Sequence, residues 1–390
     1  MKLNISKTLS FLPSLMGEGA QSAGEGREEF DMKIAVGMSG GVDSSVAALL
    51  LKEQGHEIMG ISMSIWEGTD ETAAGKKHSC YGPDEREEIT EAEAVCKSLG
   101  IPYYVFDCSA EYKKNVIEYF KNEYRSARTP NPCIVCNHRI KFDALLKTAE
   151  ASGLRFDKFA TGHYANIELD TGSGRHLLKK AADAKKDQSY FLYRLGQYQL
   201  AKVLFPVGNL TKEMVRSIAR SNGVPVSEKD ESQDFYSGDY RELLDVGEKV
   251  GDIVLTSGKV IGRHRGLWNY TPGQRKGLRI AYPEPLYVIR LDAKNNTVVV
   301  GTKNEISVSS FAVNDLNWIA VEKPASSFEA TVKLRSTHKE IESFAEMIGD
   351  NEAKVTLRSS KEPIAPGQSA VFYDGDSVIG GGIIDRTLGP

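Results

Sequence analysis

Long apolar runs are missing from this sequence. The longest, such as "VAALLL" at Val46–Leu51, falls far short of the roughly 20 residues that a helix needs to cross a bilayer. No membrane partner is therefore expected. Cysteine is scarce too: five in 390 residues, an odd and scattered set. A disulfide framework is excluded, which suits a reducing compartment, and a cytoplasmic location is expected. Two cysteines standing close together then need a chemical reason. Acidic residues are absent between Ile253 and Pro283, a window that holds Lys259, Arg263, Arg265, Arg275, Lys276 and Arg279 with Trp268, Tyr270 and Tyr282 among them. The net charge of -4 argues against indiscriminate nucleic-acid binding. The window itself reads either as a phosphate-binding surface or as a solvated, turn-rich face.

What is present is ordinary globular composition, 41% hydrophobic and 26% charged, in a chain long enough for two or three domains. Residues 1–31 have no sustained periodicity, and their polar, Gly-rich composition predicts a disordered leader, with Met32 a candidate natural start. From Lys33 the pattern is strand, loop, helix, repeated: "KIAVG", a helix closing at Gly55, "EIMGISM", a helix over Glu85–Leu99, and "YYVFD". Ser109 is read as the cap of a helix bearing Tyr112, Val116, Phe120 and Tyr124, and a further helix, "IKFDALLKTAEASG", precedes the strand "DKFAT". This alternation predicts an α/β fold with a doubly wound parallel sheet over residues 32–239. A small Gly-rich central module follows over 240–283. A C-terminal antiparallel β-barrel is expected over 284–390, with hairpins about Asn295–Asn296 and Asp374–Gly375.

Two motifs carry chemistry. "SGGVDSS" at Ser39–Ser45 directly follows the first strand and opens the first helix. Its glycines let backbone N–H groups turn inward, and the helix N-terminus and three hydroxyls complete a phosphate cradle. It lacks the Lys-Ser/Thr ending of the Walker loop and the spacing of the dinucleotide fingerprint. "NPCIVCN" at Asn131–Asn137 sets Cys133 and Cys136 with two residues between them. A zinc half-site, a redox pair and a reaction centre are all open, although a closed zinc site needs four ligands and no second pair of this kind exists. Cys96 and Cys108 read as packing residues.

The pattern SGGxDS resembles the pyrophosphate loop of the ATP pyrophosphatases. Six further blocks, "ARTPNPCIVCNHRIKFD", "FATGHYA", "KDQSYFLYRL", "LFPVGNLTK", "YTPGQRKGL" and "PGQSAVFYDG", resemble the tRNA-specific 2-thiouridylase family, over Met32–Pro390. The resemblance implies a sulfurtransferase that uses ATP to adenylate the wobble uridine of tRNA and then delivers sulfur to C2, giving 2-thiouridine. It implies ATP binding by Gly37, Met38, Ser39, Gly40, Gly41, Val42, Asp43 and Ser44, with Met63 and Gly162 at the nucleoside. Mg²⁺ would accompany the ATP, with Asp43 a candidate to hold it. It implies tRNA contacts at Asn131, Pro132, Cys133, His163, Lys186, Asp187, Gln188, Arg335, Ser336 and Gln368, and a persulfide on Cys136, and the expected partner besides tRNA is a sulfur donor, either a persulfide carrier protein or sulfide.

Where the family usually has a second catalytic cysteine, this chain reads "ESQDFYSGDY", with Tyr236 at or next to the expected sulfur. Tyrosine cannot resolve a persulfide. Two replacements stay open: Cys80 as resolving thiol, or Cys80, Cys133 and Cys136 holding a 4Fe-4S cluster with one iron left open. Rival readings are another adenylating ligase of the same fold and a non-catalytic tRNA-binding homologue that lost turnover with its second cysteine.

Overall fold

The computed structural model describes residues 32–68, 79–225, 235–236, 240–306, 308–358 and 363–388; the expected leader lies outside them. The chain divides into two compact units. One holds residues up to Lys113, Cys133–Gly238 and Asp376–Val378; the other holds Lys114–Pro132, Asp239–Gly375 and the residues from Ile379 onward.

The first unit is built on a five-stranded parallel sheet in the order β3-β2-β1-β4-β7. Its strands are β1 (Lys33–Gly37), β2 (Glu57–Ser64), β3 (Tyr103–Asp107), β4 (Lys158–Thr161) and β7 (Val203–Leu204). Helix α1 (Val42–Glu53) follows β1 and is buried nearly all round, from Val42 through Leu51, as expected of a helix with no polar face. Helix α2 (Glu85–Leu99) buries only Ala92, Val95 and Cys96 and ends on Gly100 in the left-handed region, φ 64, the usual glycine C-cap. Strands β5 (Asn166–Asp170) and β6 (Arg175–Lys179) form a hairpin.

Two helical segments depart from the sequence expectation in informative ways. The helix beginning at Ser109 is held at its start from two residues earlier: Asp107 accepts both the backbone N–H and the hydroxyl of Ser109, at 2.9 and 2.6 Å. It also carries a π-helical turn over Lys113–Ile117. Its apolar side chains recur every four residues, which outruns 3.6 residues per turn, and a widened turn brings the stripe back into line.

The second departure concerns "NPCIVCN", which is not a loop ahead of a helix. Pro132 stands first in helix α3 (Pro132–Cys136), a position where its fixed φ suits the helix and its missing N–H costs nothing. A π segment, Asn137–Ala144, and helix α4 (Leu145–Ala151) continue it. Helix α5 (Lys212–Ser221), capped by the Thr211 side chain, closes the unit's core beside α1 through Val215, Ile218 and Ala219.

In the second unit, β8 (Gly251–Leu255), β9 (Val260–His264), β10 (Tyr287–Asp292) and β11 (Thr297–Gly301) form one sheet in the order β10-β11-β8-β9. The hairpin turning at Asn296, φ 50, thus pairs through β11 with β8 and shares its core of Ile253, Leu278, Val288, Val298 and Val300. The strands that follow are β12 (Ser310–Trp318), β13 (Ser327–Lys333), β14 (Ile341–Gly349), β15 (Glu352–Leu357), β16 (Ser369–Asp374) and β17 (Ser377–Leu388). Their order is β12-β15-β14-β13-β16-β17, and pairing of β12 with β17 closes a six-stranded antiparallel barrel around Phe311, Val332, Val355 and Phe372. The expected fold class, a doubly wound parallel sheet, a small central module and an antiparallel β-barrel, is what the chain adopts.

Candidate active site at the carboxyl edge of the parallel sheet

Parallel sheets of this kind bind ligands beyond the carboxyl ends of their strands, and the singled-out residues of the first unit lie there. The loop after β1 is held open by its own hydroxyls. Ser44 and Ser45 donate to the Gly41 carbonyl at 3.1 and 2.8 Å, and the Ser39 N–H donates to the Ser44 hydroxyl at 3.3 Å. Ser62 on β2 fixes the Met38 carbonyl at 2.6 Å. Gly40 has φ 68, and a Cβ there would sit 2.5 Å from the Glu88 carbonyl oxygen, so no other residue fits without movement. Gly162, just past β4, packs so closely that a Cβ would lie 2.5 Å from both the Asp43 carbonyl carbon and the Ser44 nitrogen. Met63 lies near the end of β2, half-buried beyond the Ile61 that pairs with Gly37. The expected ATP residues are thus gathered around the N-terminus of α1.

Asp43 is the charged member of the loop. Lys212 Nζ lies 2.8 Å from each of its carboxylate oxygens, and the Tyr164 hydroxyl donates to Oδ1 at 2.8 Å. Neither partner was singled out from the sequence, although both fall inside quoted blocks, "FATGHYA" and "LFPVGNLTK". Of the expected tRNA segment, Gln188 accepts the Tyr164 N–H at 2.8 Å, and Asp187 accepts the Ser189 hydroxyl at 2.9 Å. These two side chains brace the loop from behind. Lys186 is half-buried beside them, its N–H on the Asp183 carbonyl.

The cysteines form the second half of the site. Cys133 and Cys136 stand three residues apart on α3, so their side chains share a face. The π segment that follows, whose Leu145 N–H reaches back five residues to the Ile140 carbonyl, sets residues five apart one above the next, and Lys141 is five residues on from Cys136. The charges agree. Burial pushes the Cys136 thiol up to about 11, with Lys141 opposing and Cys80 adding. Burial pushes Cys133 up to about 12, with Cys80 and then Cys136 adding and Lys141 opposing. Burial alone would lower Lys141, but the charges of Cys136, Cys80, Cys133 and Glu88 outweigh it and its pKa rises. Cys133 keeps exposed surface.

Cys80 approaches on the turn before α2. The Tyr81 N–H donates to the Phe235 carbonyl at 3.1 Å. The Tyr81 ring lies against Trp66, Tyr112, Phe235 and Tyr236, with centroids 4.8, 5.2, 6.2 and 6.3 Å away. Among the described residues, no three His, Cys, Asp or Glu side chains gather to hold one metal ion. The three thiols bear on one another's charge with the Lys141 ammonium among them, so they are neighbours but not a formed ligand set.

His163 joins the two halves. It neighbours Gly162, its ring nitrogen lies 2.8 Å from the Thr161 hydroxyl, and burial, then Lys141, lowers its pKa to about 3. A neutral ring can donate or accept one hydrogen bond but cannot pair with a phosphate as a cation.

The second unit carries the remaining expected tRNA residues, Asn131, Pro132, Arg335, Ser336 and Gln368. Arg335, on the turn after β13, donates to the Pro272 carbonyl at 2.6 Å; Ser336 follows it. Gln368 donates to the Thr129 and Pro130 carbonyls at 3.1 and 3.0 Å, just ahead of Asn131, whose N–H donates to the Tyr119 hydroxyl. The basic window ends in a recess of about 590 Å³ lined by Arg275, Arg279, Tyr282 and Glu284 among others.

Known families match along the chain in the same order. A model of the tRNA methyl transferase HUP domain matches residues 32–236, a tRNA methyl transferase PRC-barrel domain matches 244–302, and an aminomethyltransferase beta-barrel domain matches 308–384. The chain is similar to the tRNA-specific 2-thiouridylase MnmA of Endomicrobium trichonymphae, 49% identical over 359 residues that span 91% of this chain and 99% of that one. It is 46% identical to the protein of that name from Geotalea uraniireducens, over 91% of this chain and 96% of that one. The corresponding protein of Acetivibrio thermocellus is 44% identical over 90% and 99%.

Proposed function

Because this chain belongs to the tRNA-specific 2-thiouridylase family, we propose that it is a sulfurtransferase that uses ATP to convert the wobble uridine of tRNA to 2-thiouridine. One observation carries the reading. The phosphate cradle after β1 and the three-thiol group beside α3 lie along one sheet edge, and Gly162, His163 and Lys141 run between them.

In the first step the uridine O2 attacks the α-phosphorus of ATP. The bond to the β-phosphate oxygen breaks, pyrophosphate leaves with the electron pair, and the N3 proton is lost. The cradle of N–H groups and hydroxyls at the α1 N-terminus supports the phosphates. Asp43 offers hard carboxylate oxygens of the kind Mg²⁺ takes, and the ion, when bound with ATP, would offset phosphate charge.

In the second step a persulfide on Cys136, loaded by a persulfide carrier or from sulfide with an oxidant, attacks C2 through its outer sulfur and displaces AMP. Cys80 thiolate then attacks the Cys136 sulfur. A Cys80–Cys136 disulfide forms, and the sulfur left on C2 completes 2-thiouridine. A cellular thiol reductant restores the pair. Lys141 favours the thiolate and persulfide anions, and Cys133 borders the base. The aromatic group around Tyr81 suits a uridine turned out of its stack, and the basic recess at Arg275 and Arg279 suits tRNA phosphates.

ATP–pyrophosphate exchange tests the first step. It is expected with the full chain when unmodified tRNA is present, and not without it, because the uridine is the adenylate acceptor. A protein that only binds tRNA shows no exchange, and an adenylating ligase with another acceptor shows exchange that tRNA does not stimulate.

A further inference from the structure

Tyr112 brings a phenol hydroxyl among the thiols. It ends the short helix that begins at Ser109, just past the carboxyl end of β3, and that helix packs against the π segment continuing from Cys136. The Tyr112 N–H donates to the Cys108 carbonyl at 2.9 Å, and its ring stacks on that of Tyr81 with centroids 5.2 Å apart and planes at 15°. Cys80 precedes Tyr81 and Cys136 leads into the π segment, so this one side chain bridges the segments that carry the two thiols. The residue is 1% exposed. Packing of that ring would be served as well by phenylalanine. A buried hydroxyl without a partner is costly, yet among the described residues this one makes no hydrogen bond. Burial, then the charges of Cys136, Cys80, Cys133 and Tyr81, raise its pKa well above the ordinary phenol value. The titratable groups around the hydroxyl are thus the three thiols and Tyr81, with Lys141 as their cation. The phenol keeps its proton and is a standing donor.

We propose that Tyr112 is a catalytic residue of the sulfur-transfer step: its hydroxyl donates a hydrogen bond to the outer sulfur of the Cys136 persulfide and holds that atom as an anion directed at C2 of the uridine. The role rests on the persulfide reading of Cys136. The hydroxyl makes no bond to the resting Cys136 thiol, whereas a persulfide carries its charge one S–S bond, about 2 Å, beyond Sγ. A hydrogen bond strengthens when its acceptor is charged, so this one favours the persulfide anion over its protonated form. Lys141 supplies the opposite charge as a point charge, and the phenol supplies direction. The hydroxyl gives up no proton in the step. The electron pair of the outer sulfur forms the bond to C2, and the bond from C2 to O2 breaks as AMP leaves with that oxygen and its electron pair.

The test loads the full chain with inorganic polysulfide, places the persulfide by mass spectrometry of peptides, and follows a single turnover of sulfur transfer to unmodified tRNA with ATP as a function of pH. Wild type is compared with Tyr112→Phe, which keeps the ring on Tyr81 and removes only the oxygen. The variant is expected to move the acid limb of the profile up by about one pH unit, roughly tenfold slower transfer at a fixed pH on that limb, while tRNA-dependent pyrophosphate exchange stays within about twofold. A fluorinated tyrosine at the same position, a stronger donor, is expected to move the limb down. A residue that only packs would leave the limb where it is or would lower exchange and transfer together, and either result in Tyr112→Phe overturns the role. A wild-type chain that takes up no persulfide on Cys136 would instead sink the persulfide reading on which the role rests.

Discussion

The backbone N–H of Tyr81 donates to the carbonyl of Phe235 at 3.1 Å. Through that bond the turn carrying Cys80 is pinned beside Tyr236, next to the place where related enzymes are expected to keep their second sulfur. Cys80, the residue before Tyr81, is thus the thiol that we propose takes the place of the missing one.

Replacement of Cys80 should therefore separate the two half-reactions. Cys80→Ser is expected to keep tRNA-stimulated pyrophosphate exchange within about threefold, as a surface substitution does, while sulfur release stalls and tRNA stays attached to Cys136 through a reducible bond. Non-reducing peptide mapping of the wild type after turnover should find the Cys80–Cys136 disulfide. Full turnover by Cys80→Ser, or active protein carrying stoichiometric iron, would speak for another route.

The pH dependence follows from the raised thiol. Cys136 titrates near 11 while an unfolded cysteine titrates near 9, so folding favours the neutral thiol. Thiolate rises with pH through that range, and stability falls as pH climbs from about 9 toward 11. Alkylation of Cys136 should still be accelerating above pH 9. Lys141 holds this pKa down, so Lys141→Met should slow alkylation by roughly tenfold at fixed pH, the size of one pKa unit. An unchanged rate would remove Lys141 from the sulfur chemistry.

His163 gives the opposite limb. Its folded pKa near 3 lies below the unfolded value near 6.5, so its contribution is intact above pH 6.5 and is lost as pH falls toward 3. Chemical-shift titration should show His163 unchanged between pH 5 and 8, and His163→Gln should flatten the acid loss of stability. A midpoint near neutrality would instead permit a cationic contact with RNA.

How far the sequence reached depended on how local each signal was. "SGGVDSS" declared its loop because strand, glycines and helix are consecutive, and α2 ran to the expected ends because Gly100 marks its C-cap. Asp43, Tyr164 and Lys212 are scattered over 169 positions, and only the sheet order brings them together. The sequence reading began the helix after "NPCIVCN", although Pro132 is a residue type that suits the first position of a helix. The π segment that sets Lys141 over Cys136 had no such mark, because a widened turn depends on tertiary packing. Asp107, two residues ahead, accepts from the Ser109 N–H and hydroxyl, so the Ser109 side chain is used as a donor rather than as a cap.

The most direct measurement is mass spectrometry of the nucleosides of unmodified tRNA incubated with the full chain, ATP and a persulfide donor. The account predicts 2-thiouridine at the wobble position, formed only with ATP and absent with Cys136→Ala. Thiolation that survives Cys136→Ala, or ATP consumption that leaves every uridine unthiolated, would contradict it.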